Sequence, residues 1–218
     1  MSNHLDPTNL SALQFNIESF AATEQACQHI IDKQIGIISF AYCRTFNNGT
    51  RLYLSNNPEW VKHYISHNFQ EDVAHQESYA PSGNLKYALW TGFKEDQVFA
   101  SLRDHFNLWH GFTIYERHQD YVDLFDFISY KDNPQIINYY LHNLDTLDQH
   151  VQEFKEKAID LIDPSDKRKL MVLKNWKFFE EIKSNSLLDP EKAKNFFKEI
   201  KVIKEVRFFS LTSFLYQH

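Results

Sequence analysis

Four side chains in the first half of the sequence combine an aromatic ring or a carboxylate with the polarity that orients a small molecule. They are Trp60, Tyr64, Asp72 and Trp90. Trp and Tyr offer an apolar face with one hydrogen-bond donor, and a carboxylate accepts a hydrogen bond from an N–H group. Such a set suits a small amphipathic ligand in a largely apolar pocket. Composition alone favours the alternative, in which these aromatic residues only fill the core.

The sequence lacks the signatures of common enzymes. It contains no GxGxxG, no GxxxxGKS or GxxxxGKT, no GxSxG and no HExxH, and its 5 Gly are too few for glycine-rich phosphate loops. Adjacent acids such as Glu71-Asp72 and Glu95-Asp96 diverge, so they cannot flank one bond. Because no nucleophile, base and orienting group can be assembled, we predict that the protein is not an enzyme.

The histidines give only a weak indication of metal binding. His63 and His67 have the i, i+4 spacing that can place two imidazoles on one metal, but no Glu lies between them to act as a base. Exposed helix histidines are the alternative. His105, His110 and His118 are no more clustered than 11 histidines in 218 residues would be by chance. We therefore predict neither a metal nor a cofactor.

Composition places the chain among globular proteins with a large core. Its 218 residues are 43% hydrophobic and 16% aromatic, with a mean hydropathy of -0.51. These values exclude wholesale disorder and a membrane-embedded protein. The N-terminus lacks a basic region followed by an apolar one, so we expect a cytoplasmic protein without a membrane partner. Cys27 and Cys43 are expected to be buried reduced thiols.

The charge distribution divides the chain at Pro164. Residues 1–163 carry 11 Lys and Arg against 22 Asp and Glu, whereas residues 164–218 carry 12 against 7. We expect a sensor-like domain over 1–163 and a basic helical C-terminal segment over 164–218. The acidic body is unsuited to nucleic acid phosphates, which need clustered Lys and Arg. The basic segment could touch DNA or dock on the acidic body, and its mixed charges favour docking.

Local patterns predict helices and hairpins in a fixed order. A helix is expected over 9–33, with a possible break at Ala21-Ala22-Thr23, followed by a hairpin over 37–55 that turns at Asn47-Asn48-Gly49. Asn57-Pro58-Glu59 predicts the start of a helix that runs to about Phe69. Residues 87–90 are expected to be extended, and residues 95–106 to form an amphipathic helix.

The second half is expected to supply another hairpin and then helices. Strands are predicted over 111–116 and 121–129, and one long helix over 134–163 from an apolar stripe at helical spacing. Two more helices are expected near 165–183 and 189–205. The order predicts an α+β fold, an α-β-α sandwich of PAS/GAF-like type with a central antiparallel sheet of about five strands and a helical C-terminal segment.

At the four aromatic and acidic residues the sequence resembles a known family. The stretch from Asn57 to Tyr64, continued by Phe69 to Asp72, is similar to a stretch of Pro, Trp, Tyr, an aromatic residue and Asp-Pro in the autoinducer-binding domain of LuxR-type quorum-sensing transcription regulators. Trp90 resembles a later loop tryptophan of that family, and His110-Gly111 its second hairpin. The resemblance covers roughly residues 15–163. It implies a central antiparallel sheet between helical layers, with the ligand between the sheet and the helices.

The resemblance also implies roles for the site residues. Trp60 would donate to a lactone carbonyl, Tyr64 would bind an amide carbonyl, and Asp72 would accept the amide N–H of an acyl-homoserine lactone, while aromatic side chains cover the acyl tail. Two departures concern this site. Asp72 follows Trp60 by twelve residues instead of thirteen, and Asp126 stands where the family has a hydroxyl. A buried unpaired carboxylate is costly, so Asp126 indicates either a different ligand or an outward side chain.

The expected function is therefore that of a ligand-sensing regulatory domain. The family continues into a DNA-reading helix-turn-helix, whereas Leu211-Thr212-Ser213 is followed closely by His218. We expect that the sensor is naturally shortened, that it was shortened artificially, or that the end of its gene has been lost. We also expect no direct DNA binding by this chain. The alternative is a ligand-free dimerisation module, either a homodimer or a heterodimer with a full-length relative, formed through the helix predicted over 134–163.

Overall fold

The computed structural model describes residues 6–71, 86–92 and 96–173, together with Asn195 and Lys198. Within this part of the chain the sheet consists of β1 (Ser39–Phe46), β2 (Thr50–Ser55), β3 (Tyr87–Leu89), β4 (Leu108–Arg117), β5 (Tyr121–Tyr130) and β6 (Leu170–Val172). The helices are α1 (Pro7–Glu18), α2 (Phe20–Cys27), α3 (Pro58–Ser66), α4 (Gln97–His105), α5 (Ile136–His142), α6 (Leu144–Lys157) and α7 (Ile159–Ile162). Short 3-10 helices cover Phe69–Glu71, Trp90–Gly92 and Lys167–Lys169.

The six strands form one sheet in the order β3-β4-β5-β1-β2-β6, and every neighbouring pair is antiparallel. This confirms the predicted α+β class with helices around a central antiparallel sheet. The sheet has six strands where about five were expected. None of the described helices is long and apolar enough to cross a lipid bilayer.

Helices cover both faces of the sheet. Side chains alternate along each strand, so every strand contributes to two separate cores. One core, on the face that we call the α3 face, joins strand residues to α3 and α4. The other, on the α6 face, joins the alternate strand residues to α2, α5 and α6. Because both faces are covered, the eight residues of β5 from Val122 to Ser129 are all buried.

The first hairpin agrees with the predicted turn. Gly49 has a φ of 81°, the left-handed region that glycine adopts without a steric cost. The side chain of Asn48 accepts a hydrogen bond from the backbone N–H of Thr50 at 3.0 Å. The turn therefore aligns β1 and β2 so that Thr45 faces Arg51 across the strands.

Helix α3 begins at the predicted residue. The side chain of Asn57 accepts a hydrogen bond from the backbone N–H of Trp60 at 3.0 Å, and Pro58 occupies the first helical position. The helix ends at Ser66 instead of near Phe69 because Asn68 adopts a φ of 54°. The cap fixes the first turn, which carries Trp60.

Two predicted long helices are interrupted. The helix expected over 9–33 stops at Glu18, where the Ser19 hydroxyl bonds back to the carbonyl of Phe15 at 2.8 Å and competes with the helical pattern. The helix expected over 134–163 is wrong as a single element, because non-helical angles at Asn143 and Ala158 divide it into α5, α6 and α7. Its apolar stripe survives the breaks and lies in the core of the α6 face.

The prediction of a helix from residue 165 is also wrong for the described residues. Residues 167–169 form one 3-10 turn, and Leu170–Val172 pair with β2 through Thr50 to Leu52. Lys169 anchors this turn, since its ammonium donates to the carbonyls of Asp160 and Asp163 at 2.6 and 2.7 Å. The helix expected over 189–205 lies outside the described residues apart from Asn195 and Lys198, which are helical.

A buried ion pair joins the two central strands on the α6 face. Arg44 of β1 donates from Nε and Nη2 to the two carboxylate oxygens of Asp123, at 2.7 and 2.8 Å. Tyr42 adds a third hydrogen bond to this carboxylate at 2.8 Å. Arg44 and Asp123 are direct cross-strand neighbours, and the Asp123 side chain is 1% exposed. The fork geometry of arginine suits this two-point contact.

Removing one partner of this pair should be strongly destabilising. We expect Asp123→Ala to lower the free energy of unfolding by about 3 to 5 kcal/mol, because Arg44 would keep its charge without its carboxylate. Urea unfolding followed by circular dichroism measures this change. Asp120→Ala, in the exposed turn between β4 and β5, serves as the control and should cost little. Equal effects of the two substitutions would show that the pair does not stabilise the sheet.

Candidate functional site

Trp60 lies on the α3 face inside a cluster of aromatic rings. Its side chain is 3% exposed, and its ring centre is 5.2 Å from that of Phe106 in an edge-to-face arrangement. Phe69 and Tyr64 lie at 6.2 and 5.8 Å. The indole Nε1 donates a hydrogen bond to the hydroxyl of Tyr53 at 3.0 Å. The indole N–H group of Trp60 thus points inward, towards the sheet.

Tyr64 lies one helical turn after Trp60 and is completely buried. Its ring stacks on that of Tyr53, with centres 5.2 Å apart and planes at 16°. Its hydroxyl accepts a hydrogen bond from Nη1 of Arg51 at 3.1 Å, and the same guanidinium donates from Nε to Thr45 at 3.1 Å. A buried cation therefore contacts the hydroxyl that is predicted to bind ligand.

Trp90 begins a chain of buried hydrogen bonds on the same face. Its Nε1 donates to the hydroxyl of Thr113 at 3.0 Å, and that hydroxyl donates to Oδ1 of Asp126 at 2.6 Å. Thr113 and Asp126 are direct cross-strand neighbours on β4 and β5. The ring of Trp90 also packs against that of Phe99 of α4, with ring centres 5.1 Å apart. These two hydrogen bonds link the indole N–H of Trp90 to a carboxylate in the middle of the sheet.

The side chain of Asp126 points inward, and the residue is 8% exposed. The outward orientation that the sequence left open is therefore excluded. Burial raises the pKa of its carboxyl group to about 7, and the hydrogen bond from Thr113 opposes this rise. The charge of Asp126 in turn contributes to raising the pKa of Tyr53 and Tyr115, for which burial is the larger cause. The site therefore contains a carboxyl group that changes charge near neutral pH.

A glycine brings Trp90 close to the sheet. A side-chain carbon at Gly111 would overlap the indole ring of Trp90. Gly111 follows a register shift in the pairing of β4 with β5, between Leu108 and Gly111. A β-bulge of this kind turns the strand locally. The His110-Gly111 pair noted in the sequence thus has a physical role, since the missing side chain makes room for a site residue.

Of the four predicted ligand residues, Trp60, Tyr64 and Trp90 belong to one buried cluster on the α3 face. Asp72 lies outside the described residues. The residue before it, Glu71, ends the 3-10 helix that contains Phe69. The Phe69 ring is 6.2 Å from both Trp60 and Tyr64.

Sequence reasoning missed Tyr53, Arg51 and Thr113 as members of this cluster. All three belong to strands, where side chains alternate between the faces. The hairpin turn at Asn47 to Gly49 would have placed Thr45 opposite Arg51, and the second hairpin would have placed Thr113 opposite Asp126. Register was the available signal, because it identifies cross-strand neighbours before any side chain is placed.

His63 and His67 each use one ring nitrogen for a contact within the protein. Their ring centres are 3.9 Å apart, and Nδ1 of His67 contacts the backbone carbonyl of His63 at 2.9 Å. Nε2 of His63 contacts the hydroxyl of Ser101 at 2.8 Å. Burial, with the nearby His67 and His105, lowers the pKa of His63. Neither histidine belongs to a group that could hold a metal ion among the residues described by the structure.

The Ser101–His63 contact resembles the nucleophile and base of a hydrolase in one respect only. Such a pair also needs a third group that orients the histidine. In the described ranges no carboxylate contacts His63 in this role, and Ser101 itself is buried on α4. We therefore interpret the contact as a link between α3 and α4.

A cavity lies beside α2. It measures about 380 Å³ and is lined by Ala21, Glu24, Gln25, Gln28, Ile31 and Asn56. Four of these residues belong to or directly follow α2. Among the residues that the structure describes, Trp60, Tyr64 and Trp90 do not line it, and no aromatic side chain does. It is therefore a separate feature of the surface beside α2.

No family model matches the sequence, and no curated protein matches it either. Solved structures align with this chain at low sequence identity. SdiA of Escherichia coli is 17% identical over 71% of this chain and 69% of that one, with a TM-score of 0.43. SdiA in complex with octanoyl-rac-glycerol is 17% identical over 72% and 66%, with a TM-score of 0.40.

A third solved structure is the N-acylhomoserine lactone dependent LuxR family transcription factor CepR2 from Burkholderia cenocepacia. It is 14% identical to this chain and matches 72% of it and 96% of CepR2, with a TM-score of 0.44. These alignments cover 71–72% of this chain.

The raised pKa of Asp126 should make stability depend on pH. The folded chain holds this proton up to about pH 7, whereas an unfolded Asp releases it near its usual value of 3.8. Between these values the folded state binds more protons, so this group lowers stability as pH rises from about 4 to 7. Asp126→Asn keeps an oxygen for Thr113 but cannot ionise. We therefore expect the unfolding free energy of Asp126→Asn, relative to that of the wild type, to increase as the pH rises through this range.

Urea unfolding at several pH values measures the difference between the two proteins, which cancels the titration of all other groups. Asp120→Asn, in an exposed turn, is the matched control and should follow the wild type at each pH. A difference between Asp126→Asn and the wild type that stays constant from pH 4 to 8 would refute the buried protonated state.

Gly111→Ala should displace Trp90. The added methyl group overlaps the indole ring, so we expect a loss of about 1 to 3 kcal/mol in unfolding free energy together with altered tryptophan fluorescence. The same substitution in a Trp90→Ala background should cost less, because the overlapping ring is gone. Urea unfolding of the four proteins gives the coupling energy. Additive effects would show that Gly111 is not required by Trp90.

Proposed function

We propose that the protein is the ligand-sensing regulatory domain of a LuxR-type transcription regulator. In this proposal it binds a small amphipathic signal, such as an acyl-homoserine lactone or a related molecule, between the sheet and the layer of α3 and α4. Trp60, Tyr64, Asp72 and Trp90 contact the ligand. The observation that carries the proposal is the cluster on the α3 face, in which buried aromatic rings direct their polar atoms inward.

The chemistry of the cluster fits an amphipathic molecule. The rings of Trp60, Tyr64 and Phe69 offer apolar surface for an acyl chain. Indole N–H groups donate to carbonyls, and the carboxyl group of Asp126 can bind an amide or hydroxyl of a head group. Arg51 adds a fixed positive charge beside Tyr64. A ligand with both a polar head and an apolar tail uses both features.

Ligand binding would exchange hydrogen bonds instead of adding them. In the structure Trp60 donates to Tyr53, and Trp90 donates to Thr113. A ligand carbonyl that replaces the Tyr53 hydroxyl keeps the indole paired, so the exchange costs little. A purely apolar molecule that displaced Tyr53 or Thr113 would leave the indole N–H groups unpaired, so it would bind weakly. The polar head therefore determines selectivity, and the tail contributes buried area.

The same internal pairing favours the second candidate, a ligand-free dimerisation module. A core whose donors already have protein partners is complete without a ligand. However, the apolar stripe of residues 134–163 that suggested pairing is buried in the core of this chain. A homodimer, or a heterodimer with a full-length relative, would need another surface.

Binding of two probes with the same acyl chain tests the proposal. N-octanoyl-homoserine lactone and octanoyl glycerol differ only in the head group, and isothermal titration calorimetry measures both. We expect saturable binding that Trp60→Phe weakens by about 1 to 3 kcal/mol, or roughly 5- to 150-fold, because one carbonyl loses its donor. Trp109→Phe is the matched control, since Trp109 lies at the partly buried edge of the cluster. Circular dichroism verifies that both variants fold.

The outcomes distinguish the two candidates. Saturable binding that depends on Trp60 and not on Trp109 supports the sensor. Absence of binding for both probes, with a folded wild type, refutes binding of acyl signals and favours the ligand-free module. In that case sedimentation with a full-length relative tests the mixed dimer. Equal weakening by both tryptophan substitutions would remove Trp60 from the proposed site.

A further inference from the structure

Three side chains on the α6 face place possible metal-ligand atoms close together. His29 follows the end of α2, and His150 and Glu153 are three residues apart on α6. One nitrogen of each imidazole and one carboxylate oxygen of Glu153 lie within 4.8 Å of one another. The sequence does not reveal this group, because His29 is 121 residues from His150. Helix packing brings them together.

Both imidazoles carry a nitrogen that the protein does not use. Nδ1 of His29 and Nδ1 of His150 are shielded from solvent, and neither has a hydrogen-bond partner. A buried polar atom without a partner is costly and calls for an explanation, such as a bound ion. Two such atoms on neighbouring rings, with centres 5.4 Å apart, point to one shared cause.

We propose that His29, His150 and Glu153 form a binding site for Zn²⁺ that joins the end of α2 to α6. Two imidazoles and one carboxylate are a ligand set that Zn²⁺ accepts in a tetrahedral arrangement, with the fourth position left to water. The Glu153 side chain is 40% exposed, so the site can be reached from solvent. This site is independent of the proposed ligand site, which lies on the opposite face of the sheet.

The required movement is small. Bonds of about 2.0 to 2.2 Å from the metal place tetrahedral ligand atoms about 3.4 Å apart. One nitrogen of each imidazole and one oxygen of Glu153 already lie within 4.8 Å of one another, so small side-chain rotations bring them to this separation. The backbone carbonyl of His150 lies 3.1 Å from His29 Nε2. It can hold the proton of the ring nitrogen that is not used for the metal, as is usual for metal-bound histidines.

One neighbouring charge competes with the metal ion. Lys157 competes for Glu153, since its ammonium lies 2.6 Å from Oε1. This contact is exposed and four residues apart on one helix, so it is weak and can be displaced.

Among the described residues a further group of three has suitable ligand atoms, namely Glu116, His118 and Asp123, but its members already have partners. Both oxygens of Asp123 are held by Arg44, at 2.7 and 2.8 Å. Glu116 is also paired, with Lys155 at 2.8 Å. A second cation would have to displace a buried guanidinium. This group is therefore satisfied by protein cations, whereas the group at His29 retains unpaired nitrogens.

Titration of the metal-free protein with ZnCl₂ tests the site. After treatment with a chelator and dialysis, isothermal titration calorimetry should show one Zn²⁺ per chain, and the thermal midpoint should rise with Zn²⁺ concentration. Glu153→Gln is expected to weaken binding at least about tenfold, and His150→Ala still more. His142→Ala, at an exposed histidine with only a local contact, is the matched control and should leave the affinity unchanged.

A gain of affinity provides an independent readout. Lys157→Met removes the competing ammonium and should tighten Zn²⁺ binding about twofold, while a damaged fold could only weaken it. Far-ultraviolet circular dichroism of each metal-free variant verifies folding. The proposal is overturned by the absence of stoichiometric binding to the wild type. It is overturned equally by an affinity that Glu153→Gln and His150→Ala leave intact but that His63→Ala abolishes.

Discussion

The structure depends on one constraint, which is that both faces of the central sheet are covered by helices. The buried polar side chains on β1, β2, β4 and β5 cannot reach water, so they must find partners within the protein. The partners come from the neighbouring strand. Arg44 binds Asp123 across β1 and β5, and Thr113 binds Asp126 across β4 and β5. The register of the sheet thus determines which buried groups are paired.

The two carboxylates of β5 show how different partners give different chemistry. Asp123 lies on the α6 face, where an arginine and a tyrosine hydroxyl bind it. Asp126 is three residues further and faces α3, where its contact is the neutral hydroxyl of Thr113. Burial without a cation raises the pKa of Asp126 to about 7. A carboxyl group that can be neutral in the core can donate as well as accept, which widens the range of ligand head groups that it could recognise.

Much of the fold could be predicted from the sequence because its signals are local. The turn at Gly49, the cap at Asn57 and the strand predicted over 121–129 each depend on signals within a few residues, and all three agree with the structure. One error occurred where a distant contact dominates. Leu170–Val172 form a strand because the edge of β2 is available, which no local pattern shows. Trp60, Tyr64 and Trp90 were identified by residue type, whereas their partners Tyr53, Arg51 and Thr113 required the register.

The pairing of buried groups also limits how the α3 face can work. If the indole N–H groups had no partners, any molecule with a carbonyl would gain by binding, and selectivity would be low. Because Tyr53 and Thr113 already accept these hydrogen bonds, a ligand gains only what it adds beyond an equal exchange. That surplus comes from apolar area and from contacts to Arg51 or Asp126. A head group that matches both the fixed cation and the titratable carboxyl group is therefore favoured over one that offers a carbonyl alone.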